Sequence, residues 1–501
     1  MLELSPKSFD EFSEAARNGN VVPVVRSVLA DLHTPVSAFV RLSGDAERAF
    51  LFESIEGGER LARYSFIAAN PYLTIRARGK RTTVEQAAGE PEKTENKPVF
   101  DYLREHFSRN RLARRANLPP LCGGAVGFLT YDAVRFFEPT LDDGEEFEKD
   151  DAVWMFFRNV LAFDRLKQRI EIVSIVFTDE AAEGGEENLR RLYESAVAET
   201  ERIEKLLNQT AIFPQNSPNT EEKEIQVRSN WTKADFLGAV EAIQERILAG
   251  DAYQIVLSQK FQRPISAEPI NIYRALRTMN PSPYMFFLKT GRETLVGASP
   301  EMLVRCRGRK LEYRPIAGTR KRGATETEDW ILGEDLRSDE KEVAEHVMLV
   351  DLGRNDLGRV AEFGSVEVDE LMKIERYSHV QHLVTSLKAR LREGLDRFDA
   401  LASCFPAGTV SGAPKVSAMR IIGELEPTPR GIYAGAVGYI DYAENLDTCI
   451  AIRTIEIENG WANVQAGAGV VADSVPEKEY EETINKARAL MKAIEMAENG
   501  L

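Results

Sequence analysis

Strand-like runs and helical stretches follow one another in this chain without the regular alternation of a doubly wound fold, which points to an α+β architecture. The run Arg169–Phe177 is rich in β-branched residues and reads as a strand within a strand-rich region ending near residue 178. A charged segment over 183–207 places Leu189, Leu192, Ala196 and Ile203 at helical spacing. Residues 208–228 are polar, contain Pro214 and Pro218, and read as a linker or long surface loop. With 501 residues the chain exceeds one ordinary core, and this loop divides it into units 1–215 and 216–501. Thr232 is an N-cap candidate for a helix over 233–249 that Gly250 ends, and a long helix over 477–498 closes at Asn499-Gly500.

Basic residues number 64 against 80 acidic, a net charge of −16. No concentrated basic patch offsets that balance, so nucleic acid is not an expected partner. An anionic small substrate would need cations supplied locally. No apolar run approaches a membrane span and Met1 opens no signal peptide, so a cytoplasmic protein without membrane contact is expected. Cys122, Cys306, Cys404 and Cys449 lie far apart, read as free thiols, and argue against structural zinc.

Two carboxylate pairs carry more information. Glu342 and Glu345 stand three apart in one helical pattern, and Glu479 and Glu482 repeat the spacing in the last. Residues at i and i+3 share a helix face, so two such helices can present a hard oxygen site to a divalent cation such as Mg²⁺. Spacing alone leaves two solvated faces as the commoner outcome. Glycine-rich strings over 405–419 and 465–469 can bring backbone N–H groups to an anion. Neither has the Walker ending or the dinucleotide spacing, which disfavours a nucleotide site.

Together these strings resemble the chorismate-utilising enzymes. The resemblance runs through Gly297-Ala-Ser-Pro-Glu301, Pro315-Ile-Ala317-Gly318-Thr319-Arg320 and Asp339-Glu-Lys-Glu342-Val-Ala-Glu345-His346. It continues through His382-Leu-Val-Thr-Ser386, the 405–419 string, Ala451-Ile-Arg453, Gly467-Ala468-Gly469 and Glu479 to Lys486, covering roughly residues 231–495. It implies an intertwined α+β fold of orthogonally packed antiparallel sheets with outer helices.

Members of this family differ in the nucleophile that adds to the ring. Those using water carry a lysine base where this chain has Gln254, and those forming a covalent adduct commonly carry a lysine where it has Ala317. Neither side chain can take those roles, which leaves ammonia. The resemblance thus implies conversion of chorismate and ammonia to anthranilate and pyruvate in tryptophan biosynthesis. The alternative is an aminodeoxychorismate-forming enzyme of the folate pathway.

The resemblance also assigns roles. Glu345 and Glu482 become direct Mg²⁺ ligands, with Glu342 and Glu479 behind them or joined through water. Glu301 is the general acid that protonates the departing ring hydroxyl, and His382 takes the next proton. Arg453 and Tyr433 hold the enolpyruvyl carboxylate. Lys486, Gly467, Ala468 and Gly469 complete the site of the ring carboxylate, while Gly318, Thr319 and Thr409 line the cavity. His346 supports the turn that bears Glu345, and on an extended segment strand alternation turns His379 away from His382. In the N-terminal half, Glu53 and Ser54 resemble one wall of a tryptophan effector pocket, and Pro281, Ser282, Pro283, Tyr284 and Met285 the other. No cysteine sits on a nucleophile elbow, so a glutamine amidotransferase subunit is the implied ammonia source.

Overall fold

The computed structural model describes residues 3–55, 63–86, 92–115, 117–142, 144, 148–181, 184–214, 226–377 and 380–500. Four expectations touch residues outside these: the facing of His379, a helix start at Glu183, the division at 215, and the middle of the loop over 208–228. Within the described residues, two large sheets are built from antiparallel strand pairs. Each takes one contiguous block of strands from either side of the division. In the first, Arg48–Glu53 pairs with Tyr284–Thr290, matching Glu53 with Met285 and Phe50 with Leu288. In the second, Gly124–Leu129 pairs with Ala436–Asp441.

Alternation along these strands explains the layering. On Arg48–Glu53, Phe50 packs with Phe286, Val126, Val153 and Val437 in a core drawn from both sheets. Leu51 turns the other way, toward Phe287, Tyr273, Leu490 and Ile494, where helices cover the first sheet. A third core lies on the second sheet, under Val99–Arg109 and Arg397–Cys404. Helices therefore lie outside the two sheets, which share an apolar interior.

Local signals set several boundaries. Thr232 caps Lys233–Leu248, its hydroxyl accepting from the Asp235 N–H at 3.2 Å, and Gly250 follows with a φ of +90°. The last helix is Pro476–Glu498, and the charged helix runs Gly185–Leu207. The strand Arg169–Phe177 forms as read. No helix among the described residues is long and apolar enough to cross a membrane.

Candidate active site

A cavity of about 740 Å³ opens where the C-terminal parts of both sheets meet Glu340–Gly358 and Pro476–Glu498. Glu301 lines it from the short turn between Thr294–Ser299 and Met302–Arg307. That turn is tied down on both sides. Ser299 donates to the Ile450 carbonyl at 2.7 Å, and the Ile450 N–H donates to the Glu301 carbonyl at 3.1 Å. Only 6% of Glu301 is exposed. Burial pushes its carboxyl up to about 8, against the opposing pull of the Thr409 hydroxyl and the Arg453 charge. At neutral pH it is a protonated acid.

His382, on Val380–Arg390, is shifted the other way. Burial lowers its pKa, the Gly318 carbonyl raises it, and the Arg453 charge lowers it further. Nδ1 lies 2.8 Å from the Gly318 carbonyl and 3.1 Å from the Thr319 hydroxyl. A carbonyl only accepts, so Nδ1 carries the proton and Nε2 keeps a lone pair. The register shift between Ala317 and Thr319 aims that carbonyl. Gly318 makes the bulge possible with a φ of +65°, and a Cβ there would stand 2.9 Å from Glu342 Oε2.

Glu345 projects from one helix and Glu479 and Glu482 from the other, all lining the cavity. Burial raises the pKa of Glu345, and Glu342 and Glu482 raise it further. Glu479 is likewise raised by burial and by Glu482, with Ser474 working against the shift. Carboxylates brought together from two helices suit a hard cation, which would relieve their mutual repulsion. No three carboxylates among the described residues converge into a finished cage. Glu342 stands apart from the other three: it does not line the cavity, and Arg320 holds its carboxylate at 3.1 Å. His346 is buried behind this helix, its Nε2 2.6 Å from the Thr385 hydroxyl, which anchors Glu340–Gly358 to Val380–Arg390.

Cations line the same cavity. Arg453 lies in the cavity with a φ of +49°, its carbonyl accepting from the Ala298 N–H at 3.1 Å. No carboxylate among the described residues forms a salt bridge with it. A largely enclosed guanidinium with no salt-bridge partner among the described residues has the fork geometry to take a carboxylate. Tyr433 and Thr409 line the same space. On Trp461–Val470, Gly467 and Gly469 face the cavity while Ala468 is fully buried. A Cβ on Gly467 would stand 2.5 Å from the Tyr433 hydroxyl, and one on Gly469 2.5 Å from Gln254 Nε2, so only glycine leaves this face open. Lys486 donates to the Gly467 carbonyl at 2.8 Å and pairs with Glu482 at 2.6 Å.

Gln254 and Ala317 line this cavity too. So do Lys341, Gln465 and Ser474, to which sequence reasoning gave no role. Lys341 had a readable signal, since it lies four residues before Glu345 and shares its helix face.

The residues read as an effector pocket fall into two cavities. Glu53, Ser54, Pro283, Tyr284 and Met285 line one of about 1010 Å³. Pro281 and Ser282 line a smaller one of about 270 Å³, together with Pro283, His382, Arg453 and Lys486. Glu53 is spent on internal contacts, bonding the Tyr273 hydroxyl at 2.6 Å and pairing with Arg277 at 2.9 Å. The Tyr284 hydroxyl bonds Asp447 at 3.1 Å. The Ser54 hydroxyl is buried and has no partner among the described residues.

All four cysteines are free and buried. Burial pushes the Cys306 and Cys404 thiols up to about 12 and those of Cys122 and Cys449 higher still, so none is poised as a nucleophile.

Residues 47–492 match the chorismate binding enzyme family. The chain is 47% identical to anthranilate synthase component 1 of Acetivibrio thermocellus and 46% identical to that of Aquifex aeolicus, each over 98% of both chains. The crystal structure of anthranilate synthase component I from Streptococcus pneumoniae superposes with a TM-score of 0.73 at 35% identity, covering 92% of this chain and 98% of that one. The menaquinone-specific isochorismate synthase of Escherichia coli shares the fold, with a TM-score of 0.68 at 20% identity over 97% of this chain and 98% of its own. On its cavity and on these matches, the chain belongs to the chorismate binding enzyme family.

Proposed function

We propose that this chain converts chorismate and ammonia to anthranilate, pyruvate and water, as a cytoplasmic enzyme of tryptophan biosynthesis that takes its ammonia from a glutaminase subunit. One observation carries the reading: an acid and a base with opposite pKa shifts, Glu301 and His382, share a cavity with the unreactive Gln254 and Ala317. The printed names of the relatives support it. The free, buried thiols suit a reducing compartment and leave the chain without a glutaminase nucleophile.

Arg453 would hold the enolpyruvyl carboxylate, with Tyr433 as a hydrogen-bond partner. The ring carboxylate would lie toward Lys486 and the Gly467 and Gly469 backbone. Glu345 and Glu482, supported by Glu479, fit Mg²⁺, which supplies charge to hold the ring carboxylate and withdraw electrons from the ring. Glu301 gives its proton to the ring hydroxyl as ammonia bonds to the ring, so the hydroxyl leaves as water. His382 Nε2 then takes the ring proton whose loss restores aromaticity as pyruvate departs. With chorismate, ammonium and Mg²⁺, the purified chain should form fluorescent anthranilate and pyruvate in equal amounts. An amino product that keeps its enolpyruvyl group would instead identify an aminodeoxychorismate-forming enzyme.

Tryptophan is proposed as the effector of the larger cavity, where the unpartnered Ser54 hydroxyl supports a ligand with a polar end. Ser54→Ala is expected to raise the tryptophan concentration for half-inhibition about tenfold, the loss of one hydrogen bond. The inhibited rate is read as a fraction of the uninhibited rate of the same variant, which cancels any change in basal turnover. An unchanged inhibition curve would remove Ser54 from the effector site.

A further inference from the structure

Four walls of the active cavity come from distant parts of the chain: Val256 from Gln254–Pro264, Val410 beside Thr409, Tyr433, and Gln465 from Trp461–Val470. They meet at one buried ion pair that does not face the cavity. Arg430 and Glu426 have side chains 1% and 5% exposed. Arg430 Nε donates to one carboxylate oxygen at 2.8 Å and Nη2 to the other at 2.7 Å, a fork-to-fork pair.

The remaining contacts reach the walls. Arg430 Nη2 also donates to the Val256 carbonyl at 2.6 Å, and Nη1 to the Val410 carbonyl at 2.7 Å. The guanidinium lies 5.5 Å from the Tyr433 ring centre and 4.6 Å from that of Tyr131. Glu426 accepts from the Ser258 N–H and hydroxyl, both at 2.8 Å, and that hydroxyl accepts from Gln465 Nε2 at 2.8 Å. The neighbouring Gly431 N–H donates to Asp132 Oδ2 at 2.8 Å, joining the N-terminal half to the same point. A core serving stability alone has no use for polar bonds aimed at three cavity-lining strands and loops, and apolar residues of similar volume would serve as well.

We propose that Arg430, through its pair with Glu426, is a positioning residue of the reaction: it holds Val256, Thr409-Val410, Tyr433 and Gln465 in register around the substrate. The inference rests on the cavity being the chorismate site. Lysine has no planar fork and too few donors for these contacts, so charge alone does not replace Arg430.

The test uses the full chain with chorismate, ammonium and Mg²⁺, comparing Arg430→Lys and the double variant Arg430→Met with Glu426→Gln. The double change removes both charges, so no lone carboxylate is left buried. Thermal unfolding of the double variant is expected within a few degrees of the parent. For both variants kcat/KM is expected to fall about 100-fold, as misplacement of walls by an ångström can cost, with KM for chorismate raised. The alkaline limb of the pH profile should also move to lower pH, because a loosened cavity lets water reach Glu301 beside Thr409 and Arg453. Unchanged KM and an unmoved limb, with kcat lost only in proportion to unfolded protein, would make Arg430 a purely structural residue and overturn the proposal. A parent chain that does not consume chorismate would instead overturn the functional reading beneath it.

Discussion

Glu301→Gln is expected to lower kcat by about 10²- to 10⁴-fold, the usual contribution of a placed general acid. Glutamine keeps the shape of the side chain and has no proton to give at neutral pH. Chorismate should therefore still bind, and the loss should fall on kcat rather than on KM. The parent enzyme's activity should decline on the alkaline side through about pH 8, where buried Glu301 releases its proton, and that limb should vanish from the residual activity of the variant. Stability from the same group falls in the same direction of pH. An unfolded glutamate ionises near 4.5, so raising the pH from there to about 8 favours the unfolded chain, in which the group ionises freely. Stability from this group is full below 4.5 and is lost as pH rises through 8. The variant should thus unfold at a higher temperature than the parent at pH 9 and show little advantage at pH 4. A kcat within tenfold of the parent would take the acid role away from Glu301.

The second large effect concerns the carboxylates of the two helices. Glu345→Ala and Glu482→Ala should each reduce Mg²⁺-dependent turnover by more than about 100-fold, beyond the 10–100-fold typical of groups standing behind a metal. Calorimetric titration with Mg²⁺ alone should show weakened binding in both. Glu342→Gln is expected to cost less, within about 10–100-fold, because its carboxylate is held by Arg320 outside the cavity. The ranking is the test. A Glu342 variant as impaired in Mg²⁺ binding as the Glu345 variant would mean that Arg320 releases Glu342 to the ion and that the ligand set must be redrawn.

Much of this site was legible because short-range geometry carried it. Glu479 and Glu482 share a helix face by spacing alone, and so do Glu342 and Glu345. Gln254 and Ala317 each mark a chemistry that is missing. Where sequence reasoning departed from the structure, a tertiary partner or a strand face decided. Glu342 stands behind the cavity-lining carboxylates as read, but nothing local to it announces Arg320, the partner that holds it there. Ala468 sits between two cavity-facing glycines, so period-two alternation already turned it to the opposite face. Pro281 and Ser282 line a different cavity from Met285 because the chain enters its strand at Tyr284. Helix ends were readable at Thr232 and Gly250, where capping is local. The pairing of Arg48–Glu53 with Tyr284–Thr290 was not, since more than 200 residues separate the partners and no turn chemistry records their register.

That long-range pairing bears on how the chain must be made. Among the described residues, each half carries two strands that pair on one side with a strand of the other half: Arg48–Glu53 and Gly124–Leu129 early, Tyr284–Thr290 and Ala436–Asp441 late. A ribosome releases the early strands long before their mates exist, so a nascent N-terminal half presents two cohesive, apolar edges to its surroundings. Truncated products should aggregate or depend on chaperones, and the two halves expressed together as separate chains have matching edges through which to reassemble.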